Sequence, residues 1–257
     1  MGEGQPIVLY SGGIGSWAAA DRLIERGLRP TLLFTDTLIE DEDLYRFLRE
    51  TIDDFGEAAS FVRLADGRTP WQLFRDEGFI GNTRADLCSR VLKRDLSRAW
   101  IDAQGDSLVV AVGMDWTEIN RYERAVPHWD PHRLIAPLCD PPYLSKSQMI
   151  AAVRERGIDP PRLYRMGFPH NNCGGFCVKQ GHGGFRLLLR KMPERYLEHE
   201  REEERFRRET GKDVAILRDR RGGVTKPLTL SQLRAREDDS DIDQSTIGGC
   251  GCMADFD

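Results

Sequence analysis

The feature that most constrains this chain is an alternation of short apolar runs with amphipathic stretches, repeated from its first residues. Ile7-Val8-Leu9-Tyr10 is a continuous apolar run, as in a strand covered on both faces. It stops at Ser11-Gly12-Gly13-Ile14-Gly15-Ser16. Trp17, Ala20, Leu23 and Ile24 then recur at helical spacing up to Gly27. Thr31-Leu32-Leu33-Phe34 reads as a second strand. Leu44, Phe47, Leu48 and Ile52 mark a second helix, and Ser60–Leu64 a third strand. Strands separated by helices require crossovers, so the pattern predicts a parallel sheet flanked by helices.

The alternation resumes after a looser stretch. Leu87 to Ile101 reads as a helix, Leu108–Val112 as the clearest strand, and Arg133–Ala136 as a fifth. Ser145 and Gln148 have capping-box spacing and open a further helix through Arg156. Residues 1–157 therefore read as one α/β domain. In residues 158–257, the segment 158–192 is rich in Gly, Pro, His, Asn and Cys and reads as mostly loop. Glu194 to Thr210 reads as a charge-dense, solvated helix, and Val214–Leu217 with Val224-Thr225 as a small hairpin. Residues 237–243 carry five acids and read as mobile. No internal repeat is visible.

At 257 residues the chain is long enough for a real core. Its net charge of −5 gives no global support for nucleic-acid binding, although a local basic groove stays open. No apolar run reaches membrane-spanning length and no signal peptide is visible, so the expected location is cytoplasmic and membrane partners are not expected. In that compartment the six cysteines read as metal or catalytic thiols rather than disulfides.

Glycines between a buried strand and a helix let the backbone turn consecutive N–H groups toward one point, and the helix start adds partial positive charge. Ser11 and Ser16 add hydroxyls. Ser11, Gly12, Gly13, Gly15 and Ser16 thus form a candidate anion cradle, with phosphate its natural tenant. It is neither the dinucleotide fingerprint nor the Lys-bearing triphosphate loop.

This loop resembles the SGGxxS pyrophosphate loop of the adenine nucleotide alpha-hydrolase (PP-loop ATPase) superfamily. Further segments resemble that superfamily, and particularly its phosphoadenosine phosphosulfate (PAPS) reductase-like branch, in the same order. They are Phe34-Thr35-Asp36-Thr37, Leu87-Cys88-Ser89-Arg90-Val91-Leu92-Lys93, and Val112-Gly113 with Glu118-Ile119-Asn120-Arg121. Ala136-Pro137-Leu138-Cys139-Asp140 and Leu163-Tyr164-Arg165-Met166-Gly167-Phe168 complete the set. The resemblance spans roughly residues 6–180 and implies a Rossmann-like (HUP-type) α/β fold with a small Cys-bearing C-terminal extension.

The resemblance implies an enzyme that cleaves an adenine nucleotide at its α-phosphate: an ATP pyrophosphatase or adenylating enzyme, often in sulfur transfer. The alternatives are a PAPS or adenylyl-sulfate reductase, and a nucleotide- or nucleic-acid-binding module without catalysis. ATP or PAPS would be the substrate nucleotide. A sulfur-donor protein, and a tRNA or DNA substrate, are partners consistent with the first reading. Asp36, Gly113 and Glu118 join the loop as nucleotide-binding candidates. Lys93, Arg121 and Arg84 are the catalytic cations, with Arg90 and Arg124 further candidates. Members that release pyrophosphate usually carry Asp where this chain has Gly15, which puts a Mg²⁺ ligand inside the loop in doubt; acids elsewhere could serve. The chain ends in Gly249-Cys250-Gly251-Cys252-Met253, not the reductase Glu-Cys-Gly-x-His nucleophile motif.

Cys173, Cys177, Cys250 and Cys252 form two tight pairs whose intervening glycines would let them fold around one metal, zinc or a [4Fe-4S] cluster. His170 and His182 could replace one thiolate. Cys139 reads as a core residue. Cys88 reads as core or as a thiol beside the substrate.

Overall fold

The structure, a computed structural model, describes residues 5–82, 84–220 and 223–236. β1 (Ile7–Leu9), α1 (Ile14–Glu25), β2 (Thr31–Asp36), α2 (Glu42–Phe55) and β3 (Ser60–Ala65) form the first half of a sheet. After α3 (Pro70–Glu77), a continuous helical stretch runs from α4 (Leu87–Ser89) through a π-helical segment, Arg90–Asp95, into α5 (Leu96–Asp102). β4 (Val109–Ala111), α6 (Ile119–Ala125) and β5 (Arg133–Ile135) follow. The five strands lie in the order β3-β2-β1-β4-β5 and every pairing is parallel. This is the α/β architecture expected from the strand–helix alternation.

Strand geometry explains why β1 has no polar alternation. Val8 and Tyr10 pack on one face with Trp17 of α1 and Phe47 of α2. Ile7 and Leu9 pack on the other with Val110, Ile101 and Trp129. Successive side chains point to opposite faces, so a strand covered on both sides must be apolar throughout.

The strand order reverses between β1 and β4. From β1 the chain moves outward to β2 and β3, then returns across β1 to β4 and β5. The connections from β1 and β4 therefore lead to opposite sides of the sheet, and the crevice at these carboxyl ends is the place where open α/β sheets hold ligands. The Gly loop leaves β1 at that point.

α7 (Lys146–Glu155) opens on the expected capping box: Ser145 accepts from Gln148 N, and Gln148 returns a bond to the Ser145 backbone. The expected loop at 158–192 is corrected in part. It contains α8 (Arg162–Arg165) and α9 (Gly181–Lys191). Glycine composition hid α9, yet a Cβ on Gly184 would fall 2.5 Å from the Gln180 side chain, so the residue serves close packing inside the helix. α10 (Pro193–Thr210) is charge-dense as expected but not merely solvated: Tyr196, His199, Glu200, Glu203 and Phe206 are buried. The hairpin sits a few residues later than expected, with β6 (Leu217–Asp219) antiparallel to β7 (Lys226–Leu228), followed by α11 (Leu230–Arg234).

A third core cluster joins distant segments. Trp71, Phe74, Leu87 and Leu92 pack with Leu163, Phe176, Phe185, Tyr196, Ile216 and Leu230. Within it, Glu203 of α10 accepts hydrogen bonds from Ile216 N (3.0 Å) and Leu230 N (2.6 Å), tying the hairpin and α11 to the helix. No helix among the described residues is long and apolar enough to cross a membrane.

Candidate functional site

A cavity of about 320 Å³ opens at the carboxyl ends of β1 and β4, lined by Ser11, Gly13, Gly15 and Ser16 from the first loop and Gly113 from the second. Its volume is in the range of small-ligand sites. Asp115, Glu118, Arg121, Lys146, Tyr164 and the 169–172 loop complete the wall.

Glycine is required at particular positions here. Gly12 has φ +73°, and a Cβ would press on Leu44 of α2. Gly15 faces the other loop, where a Cβ would sit 2.5 Å from the Gly113 carbonyl oxygen. The loops after β1 and β4 are thus in backbone contact. A side chain at position 15 would therefore require β4's loop to move.

The cradle is arranged from within. Ser16 Oγ donates to Gly13 O (2.9 Å), and Ser11 Oγ lies 3.3 Å from Ser16 Oγ. No side chain caps Gly13 at the start of α1. The first N–H groups of a helix have no carbonyl partner in their own helix. That of Ile14 donates to the Tyr164 hydroxyl at 3.1 Å. Buried Asn171 donates Nδ2 to Gly12 O (3.3 Å), which fixes its amide orientation; its Oδ1 has no hydrogen-bond partner among the described residues.

Among the sequence candidates, Ser11, Gly13, Gly15, Ser16, Gly113, Glu118 and Arg121 come together around the cavity. Glu118 holds Arg121 at 2.6 Å, an i,i+3 pair that fixes the guanidinium toward the cleft. Gly12 shapes the loop without lining the cavity. Three candidates lie elsewhere. Arg84 is exposed and outside the cavity lining. Lys93 is buried in the π-helical segment, paired with Glu40 at 3.3 Å, and is also outside the lining. The same Glu40 accepts from Thr37 (2.9 Å) and from the Cys173 backbone N–H, so Lys93 braces the chain beneath the 170–177 loop. Asp36 ends β2 as expected but is buried, accepting from Leu38 N (2.8 Å), Tyr45 OH (2.8 Å) and Arg63 (2.6 Å).

Lys146, Asn171 and Asn172 line the cavity and were not singled out by sequence. The capping box placed Lys146 at the start of α7, but no local pattern shows which way that helix start points. Tyr164 was visible only as part of a matched segment.

Two acids, Asp115 and Glu118, line the cavity. A nucleotide-bound Mg²⁺ typically uses one or two carboxylates plus phosphates, so this donor set fits that ion as a companion of a substrate. The cysteine tetrad is different. Cys250 and Cys252 lie outside the described residues, and no group of three or more His, Cys, Asp or Glu among the described residues could hold a metal. Cys173 and Cys177 are buried. His182 is occupied by the Arg218 carbonyl at 3.0 Å. Cys88 belongs to the third core cluster. Cys139 packs behind the cleft, 3.4 Å from Asp115 O, and burial pushes its thiol pKa up.

No family model matches the sequence, and no curated protein matches it. Among solved structures, the chain is similar to phosphoadenylyl-sulfate (PAPS) reductase from Candida auris in its phosphate complex. The identity is 16%, with 63% of this chain and 78% of that chain covered, at a TM-score of 0.46.

Proposed function

We propose that the protein is a PP-loop enzyme that binds an adenine nucleotide in the β1–β4 cleft and cleaves it at the α-phosphate. The observation that carries this reading is the cavity itself. It gathers a glycine loop, a helix start whose N-cap residue is a glycine, and an oriented arginine around one space at the switch point of a parallel sheet. The reaction the site suits is transfer of an adenylyl group. A nucleophile on the second substrate attacks the α-phosphorus, the bond to the bridging oxygen breaks, and pyrophosphate leaves with the negative charge. Loop N–H groups and Arg121 are placed to stabilise charge on the phosphate oxygens. Glu118 positions Arg121 rather than acting on substrate.

The packing of Gly15 on Gly113 supports a second reading, a PAPS or adenylyl-sulfate reductase, because the pyrophosphatase loop acid has no place here. The same assay separates the two. Purified protein is incubated with ATP and Mg²⁺ and pyrophosphate is measured; in parallel it receives PAPS or adenylyl sulfate with a dithiol and sulfite is measured. Pyrophosphate release supports adenylyl transfer, and sulfite release supports the reductase. Adenine-nucleotide binding with neither product supports a non-catalytic binding module. If no adenine nucleotide binds, and Ser11→Ala changes nothing, all three readings fail.

A further inference from the structure

The cleft contains an ammonium that no motif assigned. Ser145 fixes Lys146 as the first residue of α7, and the side chain runs back over Tyr164. Its Nζ lies 4.6 Å from the Tyr164 ring centroid and donates to the Pro169 carbonyl. Lys146 lines the cavity with the Gly loop and makes no ion pair among the described residues. Asp115 and Glu118 act on it only at a distance, and Glu118 is already paired with Arg121. Lys146 is exposed at the mouth of the cleft, and partial desolvation of its head lowers the ammonium pKa. A cation supported by one carbonyl and a ring face, without a paired carboxylate, retains most of its attraction for an anion.

Tyr164 connects this ammonium to the helix start. Its ring carries Lys146 and its hydroxyl oxygen accepts from Ile14 N, the first N–H of α1. One side chain thus brings a positive charge and a helix N-terminus to the same end of the cavity. Lys93 has the opposite setting, being enclosed with Glu40 away from the cavity.

We propose that Lys146 is the cleft lysine that contacts a phosphate or pyrophosphate oxygen of the ligand held on the β1–α1 loop. The inference rests on the nucleotide reading only in taking the anion to be a phosphate. The ammonium supplies a point charge, whereas Arg121 supplies a planar fork, so the two are not interchangeable.

Titrations with inorganic pyrophosphate and with ATP, each at two salt concentrations, test this on the wild type, Lys146→Met, Lys146→Arg and Lys93→Met. Lys146→Met is expected to weaken both ligands about tenfold or more, to reduce the salt dependence, and to leave Tm within a degree or two. Lys146→Arg should recover part of the affinity. Lys93→Met should lower Tm, since it leaves buried Glu40 without its cation. Pyrophosphate and ATP affinities within twofold of wild type in Lys146→Met, at unchanged Tm, would overturn the proposal. Lys146-dependent pyrophosphate binding without ATP binding would uphold it while the adenine-nucleotide reading fell. Binding of neither ligand by the wild type would sink both.

Discussion

At the scale of single residues, the cleft depends on the absence of side chains as much as on their presence. Gly15 and Gly113 meet backbone to backbone, and this contact sets the distance between the two loops. Gly15→Ala should therefore cost on the order of 1–3 kcal/mol by overpacking, read as a fall in the urea midpoint. It should also weaken nucleotide binding. Gly15→Asp should be worse on both counts, although it introduces the acid usual in the loops that this one resembles. If Gly15→Asp were as stable as wild type, the close approach would not be the reason that acid is absent. Glu118→Gln has the reverse profile. Its partner Arg121 is partly exposed, so little stability is at stake, less than about 1 kcal/mol. The guanidinium would lose its anchor, and affinity for the nucleotide should drop severalfold at unchanged Tm.

At the scale of elements, α10 shows how a charged helix becomes structural. Charge density alone reads as a solvent-facing helix, but Glu203 is inside, where its carboxylate accepts two backbone N–H groups from segments far along the chain. Removing it in Glu203→Ala would leave both N–H groups buried and unpaired, a loss of about 2–5 kcal/mol measurable by urea denaturation. Amide exchange at Ile216 and Leu230 should accelerate with it. Burial pushes the Glu203 pKa up to about 7, against the downward pull of the Leu230 and Ile216 N–H groups. A carboxyl whose pKa is raised on folding stabilises the fold fully below the unfolded value near 4.5. That contribution is lost as pH rises to about 7. Stability should therefore decline across this window, and Glu203→Gln, which cannot titrate, should flatten the decline. Equal slopes for the two proteins between those pH values would refute the assignment. The capping boxes of α3 and α7 belong to the same scale. Ser145-x-x-Gln148 was legible because both partners lie within one turn. Thr69-x-x-Gln72 carries the same box with Pro70 at the first helical position. That box is less visible in the sequence because α3 is short and lies within a looser stretch.

At the scale of the whole molecule, the boundary at residue 157 marks a change of sequence pattern, while the packing runs across it. Trp71, Phe74 and Leu92, from the first part, share one apolar cluster with Phe176, Tyr196 and Leu230 from the second. A fragment ending at 157 would expose the first group to water. It is expected to lose a cooperative thermal transition and to bind a hydrophobic dye, although all five sheet strands lie within it. A sharp, reversible melt of that fragment would show that the sheet half folds without the rest. Its cleft would also be incomplete, since Tyr164, His170, Asn171 and Asn172 all come from the later part.

Local chemistry written along the chain determined the parallel α/β class, the glycine loop at a strand–helix junction and the start of α7. Each depends on spacing within a turn or on whether a strand is covered on both faces, and such information is contiguous in sequence. Which cations reach the cleft was decided only by tertiary structure. Lys93 and Lys146 both sit in helical segments, and the segment that singles out Lys93 in sequence does not bring it to the cavity. The crossover after β3 carries Lys93 into a buried pair with Glu40, 53 residues away. The return after β5 sets Lys146 over Tyr164, whose hydroxyl meets Ile14, 150 residues away. A side chain's direction in a helix follows from how that helix packs, and the packing is set by residues far from it in the chain.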